Sequence, residues 1–262
     1  MKVLAVDTAT AWQTVALLDG ADVLARHDEY VPGAHARTLL PTIDRLLTKT
    51  GLSLFKLDGL VVSIGPGSFT GLRVGLATML GFRTISQLPL AVVPTLEAMA
   101  WNLRGSPTPL CPILNSRKGE LYWALFRWTD EQTVERLLPE QVGTAAKLSA
   151  SLVQPVCCYG EGWDQESTAI RAVVPSHMEL LEAPETAAKP SAVSVGLAGI
   201  ARLTRGERAG LGIAPWYVQR SEAELKFDES DGLSPLARRR AKIAGKIGSQ
   251  QVRPRSKRRS RK

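Results

Sequence analysis

Residues 63–75, SIGPGSFTGLRVG, have the glycine content of a turn that binds phosphate. Glycines let the backbone approach a phosphate closely, and the free N–H groups at the start of a following helix favour an anion. Two known patterns are not met, because the P-loop lysine is missing after Gly71 and Thr70 stands where the dinucleotide pattern has its third glycine. A phosphate loop nevertheless remains one interpretation. Its candidate nucleotide contacts are Gly65, Gly67 and Ser68.

The same stretch also fits a role in helix packing. Gly71 and Gly75 lie four residues apart on one helix face, and Ala77 with Gly81 forms a second small pair, so another helix can approach closely. Apolar stripes accompany both this helix and the one before it. The alternative is that these stripes face the chain's own sheet, and the pattern does not separate the two interpretations.

A second group of candidate residues follows the first apolar run. Asp7, Thr8 and Thr10 combine a carboxylate with hydroxyl groups, which are ligands for Mg²⁺ or for a nucleotide phosphate. No second carboxylate stands out as a partner, and the three histidines have no i, i+3 or i, i+4 spacing for a metal. Ser68 is not set in a GxSxG elbow. We therefore predict no catalytic and no metal-binding residue.

Composition indicates a globular protein of the reducing cytoplasm. The chain has 262 residues and is 44% hydrophobic, so it can bury a substantial core without disulfides. Only three cysteines are present. No run of eighteen apolar residues is found, and the first residues lack the apolar segment of a signal peptide. We expect a cytoplasmic location and no membrane association.

Charge divides the chain into two parts. Of the 33 Lys and Arg residues, twelve lie in residues 233–262, which contain no acidic residue, and the rest of the chain is mildly acidic. This tail has few large apolar residues, so we predict that it is disordered. Its charges can contact RNA phosphates, and the alternative is a solubilising tail. The candidate RNA contacts are Arg238, Arg239, Arg240, Lys257, Arg258 and Arg259.

Hydrophobic periodicity predicts alternating strands and helices in two halves. The expected strands are residues 2–7, 12–18, 22–30, 57–64, 90–93, 110–114 and 120–128, and the expected helices are 34–49, 69–87, 95–103 and 192–203. The second half repeats the first loosely. We therefore predict two related α/β lobes, residues 1–105 and 106–221, and a tail from 222 to 262.

Several motifs occur in the order typical of the TsaB, or YeaZ, family. The most specific is GPGSFTGLRVG at 65–75. The others are DTAT at 7–10, His35 with TLLP at 38–41, PTLEA at 94–98, RKGELYW at 117–123 and PWYV at 215–218. The chain resembles this family over roughly residues 1–225. It departs from the family at 115–117, where Asn-Ser-Arg replaces the common Asp-Ala-Arg, and in the tail.

The resemblance implies an actin-like, Hsp70-like ATPase (ribonuclease H-like) fold with duplicated lobes. It also implies a non-catalytic partner subunit that docks on TsaD, the enzyme that transfers a threonylcarbamoyl group to adenosine 37 of ANN-decoding tRNAs. TsaE joins that complex as an ATPase. No cofactor is expected for this chain alone, and ATP or ADP with Mg²⁺ belongs to the complex. We expect tRNA contact through the complex and the tail, and exposed apolar helices favour a homodimer when the partner is absent.

By resemblance, the docking interface is a helical bundle built from the helices at 34–49 and 69–86. The candidate interface residues are His35, Leu39, Ile43, Leu46, Phe69, Leu72, Arg73, Gly75, Leu76 and Met79. Two other functions remain open. One is an independent actin-like ATPase or small-molecule kinase that uses the loop from Asp7 to Thr10, and the other is a peptidase, for which no nucleophile and base are evident.

Overall fold

Two mixed sheets and the helices that cover them make up the described part of the protein. The computed structural model describes residues 1–116, 119–152, 155–210 and 212–218. The predicted RNA contacts of the tail, and Arg117 of the departing motif, lie outside these residues. The strands are β1 (Lys2–Asp7), β2 (Trp12–Asp19), β3 (Asp22–Tyr30), β4 (Gly59–Ser63), β5 (Leu90–Val93), β6 (Leu110–Asn115), β7 (Leu121–Trp128), β8 (Val134–Gly143), β9 (Val156–Tyr159) and β10 (Leu180–Glu182). The helices are α1 (His35–Thr50), α2 (Phe69–Ser86), α3 (Thr95–Ala100), α4 (Ala145–Ser151), α5 (Glu161–Val173) and α6 (Ala192–Thr204).

Both sheets have the same strand order. In the first sheet the order is β3-β2-β1-β4-β5, and in the second it is β8-β7-β6-β9-β10. Strand β1 pairs antiparallel with β2 and parallel with β4, and β6 pairs in the same way with β7 and β9. This repetition confirms the predicted α/β fold with a duplicated architecture.

The first sheet is covered on both faces. Its central strands β1 and β4 are almost wholly buried, which explains their continuous apolar sequences. Leu39 and Ile43 of α1 and Met79 of α2 belong to one apolar cluster with Leu4 and Leu60 of the sheet. Helix α6 packs on β1, β2 and β4, although it follows the second sheet in sequence.

The helix and strand predictions are close to the observed bounds, with two differences. The predicted helix at 95–103 becomes a 3-10 turn from Trp101 to Leu103. The predicted strand at 57–64 begins only at Gly59, because Asp58 instead exchanges hydrogen bonds with Lys2 at the start of β1. None of the helices in the described ranges is long and apolar enough to cross a membrane.

Candidate functional site

The glycine-rich stretch packs against the turn that joins β1 to β2. A Cβ atom added at Gly71 would overlap the backbone oxygen of Thr8, and one added at Gly75 would overlap the Thr8 hydroxyl. One added at Gly67 would overlap the backbone oxygen of Ala9. The glycines therefore permit a close contact within the chain itself. Thr8 of the same chain thus occupies the space beside Gly71 and Gly75 that sequence analysis left open for another helix, and the partner contact at Gly75 stays a prediction.

Hydrogen bonds hold the two turns together. The Ser68 amide donates to the oxygen of Ala9 at 2.6 Å, and the Thr8 hydroxyl donates to the oxygen of Gly71 at 2.8 Å. The Ser68 hydroxyl also accepts from the Gly71 amide at 3.2 Å, which caps α2. These bonds engage the Ser68 and Gly71 amides, two of the groups that a phosphate at this turn would contact.

Asp7 lies beneath this contact and is completely buried. Its Oδ1 accepts a hydrogen bond from the Ala9 amide at 3.0 Å, whereas its Oδ2 has no partner among the described residues. Burial raises the pKa of Asp7, and the Ser63 hydroxyl, the Ala9 amide and His35 oppose that rise. A buried carboxyl group with an unpartnered oxygen is costly, so this position merits a functional explanation.

The charge of Asp7 acts on a second carboxyl group, which lies on α5. Glu161 is half-buried at the first residue of α5. Burial raises the pKa of Glu161, the Asn115 backbone opposes the rise, and the charges of Asp164 and Asp7 add to it. Sequence reasoning did not identify this pair, because about 150 residues separate the two groups along the chain.

The predicted nucleotide contacts differ in accessibility. Asp7, Thr8 and Gly65 are buried, as is Thr10, whereas Gly67 is half-buried and Ser68 is exposed. A phosphate can reach Asp7 and Thr8 only if the glycine-rich turn moves away. Nucleotide binding therefore stays a prediction. Within the described ranges, no group of three or more His, Cys, Asp or Glu side chains is placed to hold a metal ion.

Most of the predicted interface residues lie inside the protein. Those buried within the chain are His35, Leu39, Ile43, Leu46, Leu72, Gly75, Leu76 and Met79. The apolar stripes of α1 and α2 thus face the chain's own first sheet, which was the alternative interpretation. Phe69 and Arg73 are the two predicted residues that remain exposed. Side chains that cover the protein's own core are not available as they stand to contact another protein.

A different face of α2 is turned to solvent. The outer face of α2, as we call it, consists of residues spaced by four along the helix: Phe69, Arg73, Ala77, Gly81 and Ile85. Ile85 is 68% exposed, and no atom lies within 4 Å of a Cβ added at Gly81. On the neighbouring helix α1, Leu40 is 53% exposed. Ala77 and Gly81 thus form an open strip of small residues that a second helix can approach closely.

The turn between β6 and β7 borders a cavity of about 270 Å³. Its walls carry Asn115, Ser116, Glu120, Gln165 and Glu166 among other residues. Asn115 ends β6 and stands where the family commonly has aspartate, so the cavity has an amide there in place of a carboxylate. This position corresponds in the second sheet to Asp7 at the end of β1.

The comparisons with known proteins agree on one family. Residues 29–226 match the family described as "TsaD: tRNA N6-adenosine threonylcarbamoyltransferase". A relative from Escherichia coli (strain K12), named tRNA threonylcarbamoyladenosine biosynthesis protein TsaB, is 38% identical over 54% of this chain, and the match spans 64% of that relative. A protein of the same name from Bacillus subtilis (strain 168) is 27% identical over 88% of this chain and 99% of its own length.

Solved structures share the fold. YeaZ from Pseudomonas aeruginosa superimposes with a TM-score of 0.71 at 24% identity and covers 82% of this chain and 99% of its own. A structure described as an uncharacterized protein with similarity to peptidase YeaZ from Pseudomonas aeruginosa gives 0.70 at 26% identity, over 83% of this chain and 99% of that one. The protein is an α/β protein with two sheets of identical strand order, and it shares this fold with the YeaZ structures. It belongs to the threonylcarbamoyltransferase family matched by residues 29–226 and, within it, to the TsaB/YeaZ group.

Proposed function

We propose that this chain is a non-catalytic partner subunit in the synthesis of threonylcarbamoyladenosine in tRNA. It docks on the catalytic subunit TsaD, in a complex that TsaE joins, and it acts as a scaffold for that enzyme. The names of the relatives support the pathway. The observation that carries the scaffold role is the outer face of α2, where small and apolar residues are exposed together on a regular helix.

The docking site that we assign differs from the one expected from sequence. Ala77 and Gly81 allow a partner helix to approach the α2 backbone, and Ile85 at one end of the face offers apolar area to bury. Leu40 on α1 adds a further apolar side chain. When the partner is absent, the same face is the surface through which two copies of this chain form a homodimer.

The packing around Asp7 supports the non-catalytic part of the proposal. Thr8 and the glycine-rich turn enclose the carboxyl group at the end of β1, so a substrate has no direct path to it. Catalysis at a buried carboxylate requires that the group come within hydrogen-bond distance of the reacting atom. Asp7 therefore has a structural role in the state described.

Reconstitution of the modification reaction tests the proposed function. Cognate TsaD and TsaE, tRNA, ATP and threonylcarbamoyl-adenylate are combined with and without this chain, and modified adenosine is measured by mass spectrometry. We expect product only when the chain is present. The variant Ala77→Arg, which places a large charged side chain on the outer face, should abolish the effect of adding the chain. Equal product without the chain would refute the proposal.

The unpartnered Oδ2 of Asp7 favours a second candidate, an ATPase or small-molecule kinase. If the glycine-rich turn opens, the free Oδ2 of Asp7 becomes available as a ligand for Mg²⁺, with a phosphate at the start of α2. Isothermal titration of the isolated chain with ATP and Mg²⁺ tests this candidate. Heat of binding that disappears in Asp7→Asn would support it, and the absence of both binding and turnover would end it.

A further inference from the structure

An aromatic surface patch lies where the end of the described chain returns to α2. After α6 the backbone runs along the first sheet, where the Ala209 amide donates to the oxygen of Leu90 at 2.7 Å. The Trp216 amide then donates to the oxygen of Ile64 at 2.7 Å. These bonds fix Trp216 and Tyr217 beside the first turn of α2. Neither the scaffold role nor the fold requires aromatic side chains at this exposed position.

We call Phe69, Arg73, Trp216 and Tyr217 the aromatic patch. Phe69, Arg73 and Tyr217 contact one another, whereas Trp216 precedes Tyr217 in the chain and has the Arg136 guanidinium 5.4 Å from its ring centroid. The rings of Phe69 and Tyr217 are stacked with centroids 4.9 Å apart and planes 28° apart. The Arg73 guanidinium lies 3.7 Å above the Phe69 ring, and its Nε donates to the Tyr217 hydroxyl at 2.8 Å. The three aromatic residues are 36%, 37% and 38% exposed.

The charge of Arg73 is not neutralised by a neighbour. Among the described residues, Arg73 is exposed and has no ion pair with a carboxylate, and its contacts with Tyr217 and Phe69 are a hydrogen bond and stacking. A guanidinium group held on an aromatic face keeps further N–H groups free for a phosphate. The patch thus combines flat apolar faces with a fixed, unpaired positive charge.

The sequence beyond the patch favours a polyanionic ligand. The basic tail begins at Leu233, after a linker of residues 219–232 that has five acidic and two basic side chains, and the tail itself carries twelve positive and no negative charges. A polycation joined to the patch by a short peptide raises the local concentration of any polyanion near the patch. Stacked aromatic residues next to arginine suit the bases of a single strand, because every base has a π-face.

We propose that the aromatic patch binds single-stranded RNA by stacking bases on Phe69, Trp216 and Tyr217, with Arg73 contacting a phosphate. The tail adds electrostatic attraction without sequence preference. The choice of RNA as the nucleic acid rests on the proposed function in tRNA modification. The patch shares Phe69 and Arg73 with the N-terminal end of the outer face of α2, whereas the docking contacts that we assign, Ala77, Gly81 and Ile85, lie further along the helix.

Fluorescence anisotropy with a labelled single-stranded oligo(A) ribonucleotide tests the inference on the full chain. We expect Tyr217→Ala and Phe69→Ala each to weaken binding about tenfold, as loss of one stacked base predicts. Tyr217→Phe should retain most of the affinity. Phe55→Ala, which removes an aromatic side chain that is 69% exposed elsewhere, is the matched control and should change nothing. Deletion of residues 233–262 should make the affinity for oligo(A) depend less on salt concentration. In the shortened chain, Tyr217→Ala should still bind oligo(A) more weakly than the protein with Tyr217 unchanged.

A second readout does not depend on the alanine variants. Oligo(A) should quench the tryptophan emission of the full chain, and Trp216→Phe should remove that quenching. Unchanged affinity in Tyr217→Ala and Phe69→Ala, with all binding lost on deletion of the tail, would overturn the inference. If the same variants instead weaken TsaD docking and leave oligo(A) binding intact, the patch is a protein contact. That result would leave the scaffold proposal standing and refute RNA stacking.

Discussion

The inner and outer faces of α2 carry similar small residues and have different environments. Gly71 and Gly75 face inward and lie against Thr8, whereas Ala77 and Gly81 are exposed, and among the described residues no atom lies within 4 Å of a Cβ added at Gly81. Both pairs have the four-residue spacing that permits close approach to a helix. The spacing therefore indicates that something packs closely on the helix, but the fold decides whether that is the chain's own turn or another protein. The predictions below separate the two faces.

Filling the inner face should have the largest effect. In Gly71→Val the new side chain overlaps the Thr8 backbone, which cannot move without disturbing β1. We expect the free energy of unfolding to fall by about 3 kcal/mol or more. Urea denaturation measures this change. The same substitution at Gly81, on the open outer face, is the control and should cost little. An equal loss in both variants would contradict the assignment of the two faces.

Loss of the hydrogen bond between the turns should have the next largest effect. Thr8→Val keeps the shape of the side chain and removes the hydroxyl that donates to Gly71. Because the contact is buried, we expect a loss of about 2 kcal/mol in the free energy of unfolding. Thr70→Val changes an exposed threonine on α2 and is the control. Its free energy of unfolding should remain within about 0.5 kcal/mol of that of the unchanged protein.

Substitution on the outer face should increase stability. Gly81 lies inside α2 with open space at its Cβ position, so Gly81→Ala adds helix propensity without a clash. We expect the free energy of unfolding to rise by about 1 kcal/mol, measured in urea. A decrease would mean that Gly81 has a close neighbour, and the outer face would then not be free.

Substitution of Asp7 should have a smaller effect on the free energy of unfolding, and this effect should depend on pH. Burial raises its pKa, while Ser63 and Ala9 offset part of the cost of burying the charge. A raised pKa means that the protonated form of Asp7 is favoured in the folded state. The contribution of Asp7 to the free energy of unfolding is therefore fully present below about pH 4, and it is lost as the pH rises through the folded pKa. Asp7→Asn should remove this loss.

Urea denaturation at acidic and neutral pH measures the effect of Asp7. We expect the stability of the unchanged protein relative to Asp7→Asn to fall as the pH rises. Asp22→Asn, at an exposed aspartate on β3, is the matched control. A difference that is constant with pH would show that Asp7 is ionised in the fold as readily as in the unfolded chain.

Local features were predictable because they depend on neighbouring residues. Ser68 caps α2, and Gln87, in the left-handed conformation, ends it close to the predicted position. The predictions on the tail and its RNA contacts concern residues outside the described ones, so they stay predictions. The duplicated fold and the seven predicted strands agreed with expectation, whereas β8, β9 and β10 of the second sheet were not predicted.

The parts that sequence did not reveal depend on distant residues. Asp7 ends β1 whereas Glu161 begins α5, and Arg73 meets Tyr217 across 144 residues of sequence. The inward orientation of Gly75 also could not be inferred, since an amphipathic pattern gives a helix an apolar side but not its partner. Leu72 and Met79 are apolar because they cover the first sheet.

The most direct test is the affinity of this chain for its cognate TsaD when the outer face of α2 is changed. Ala77→Arg is compared with Ala172→Arg, which makes the same substitution at an exposed alanine on α5. We expect Ala77→Arg to raise the Kd about a hundredfold or more, as loss of a central contact does, while its free energy of unfolding stays the same. Ala172→Arg should bind normally. Equal affinities of the two variants for TsaD would contradict the assignment of the outer face as the docking surface.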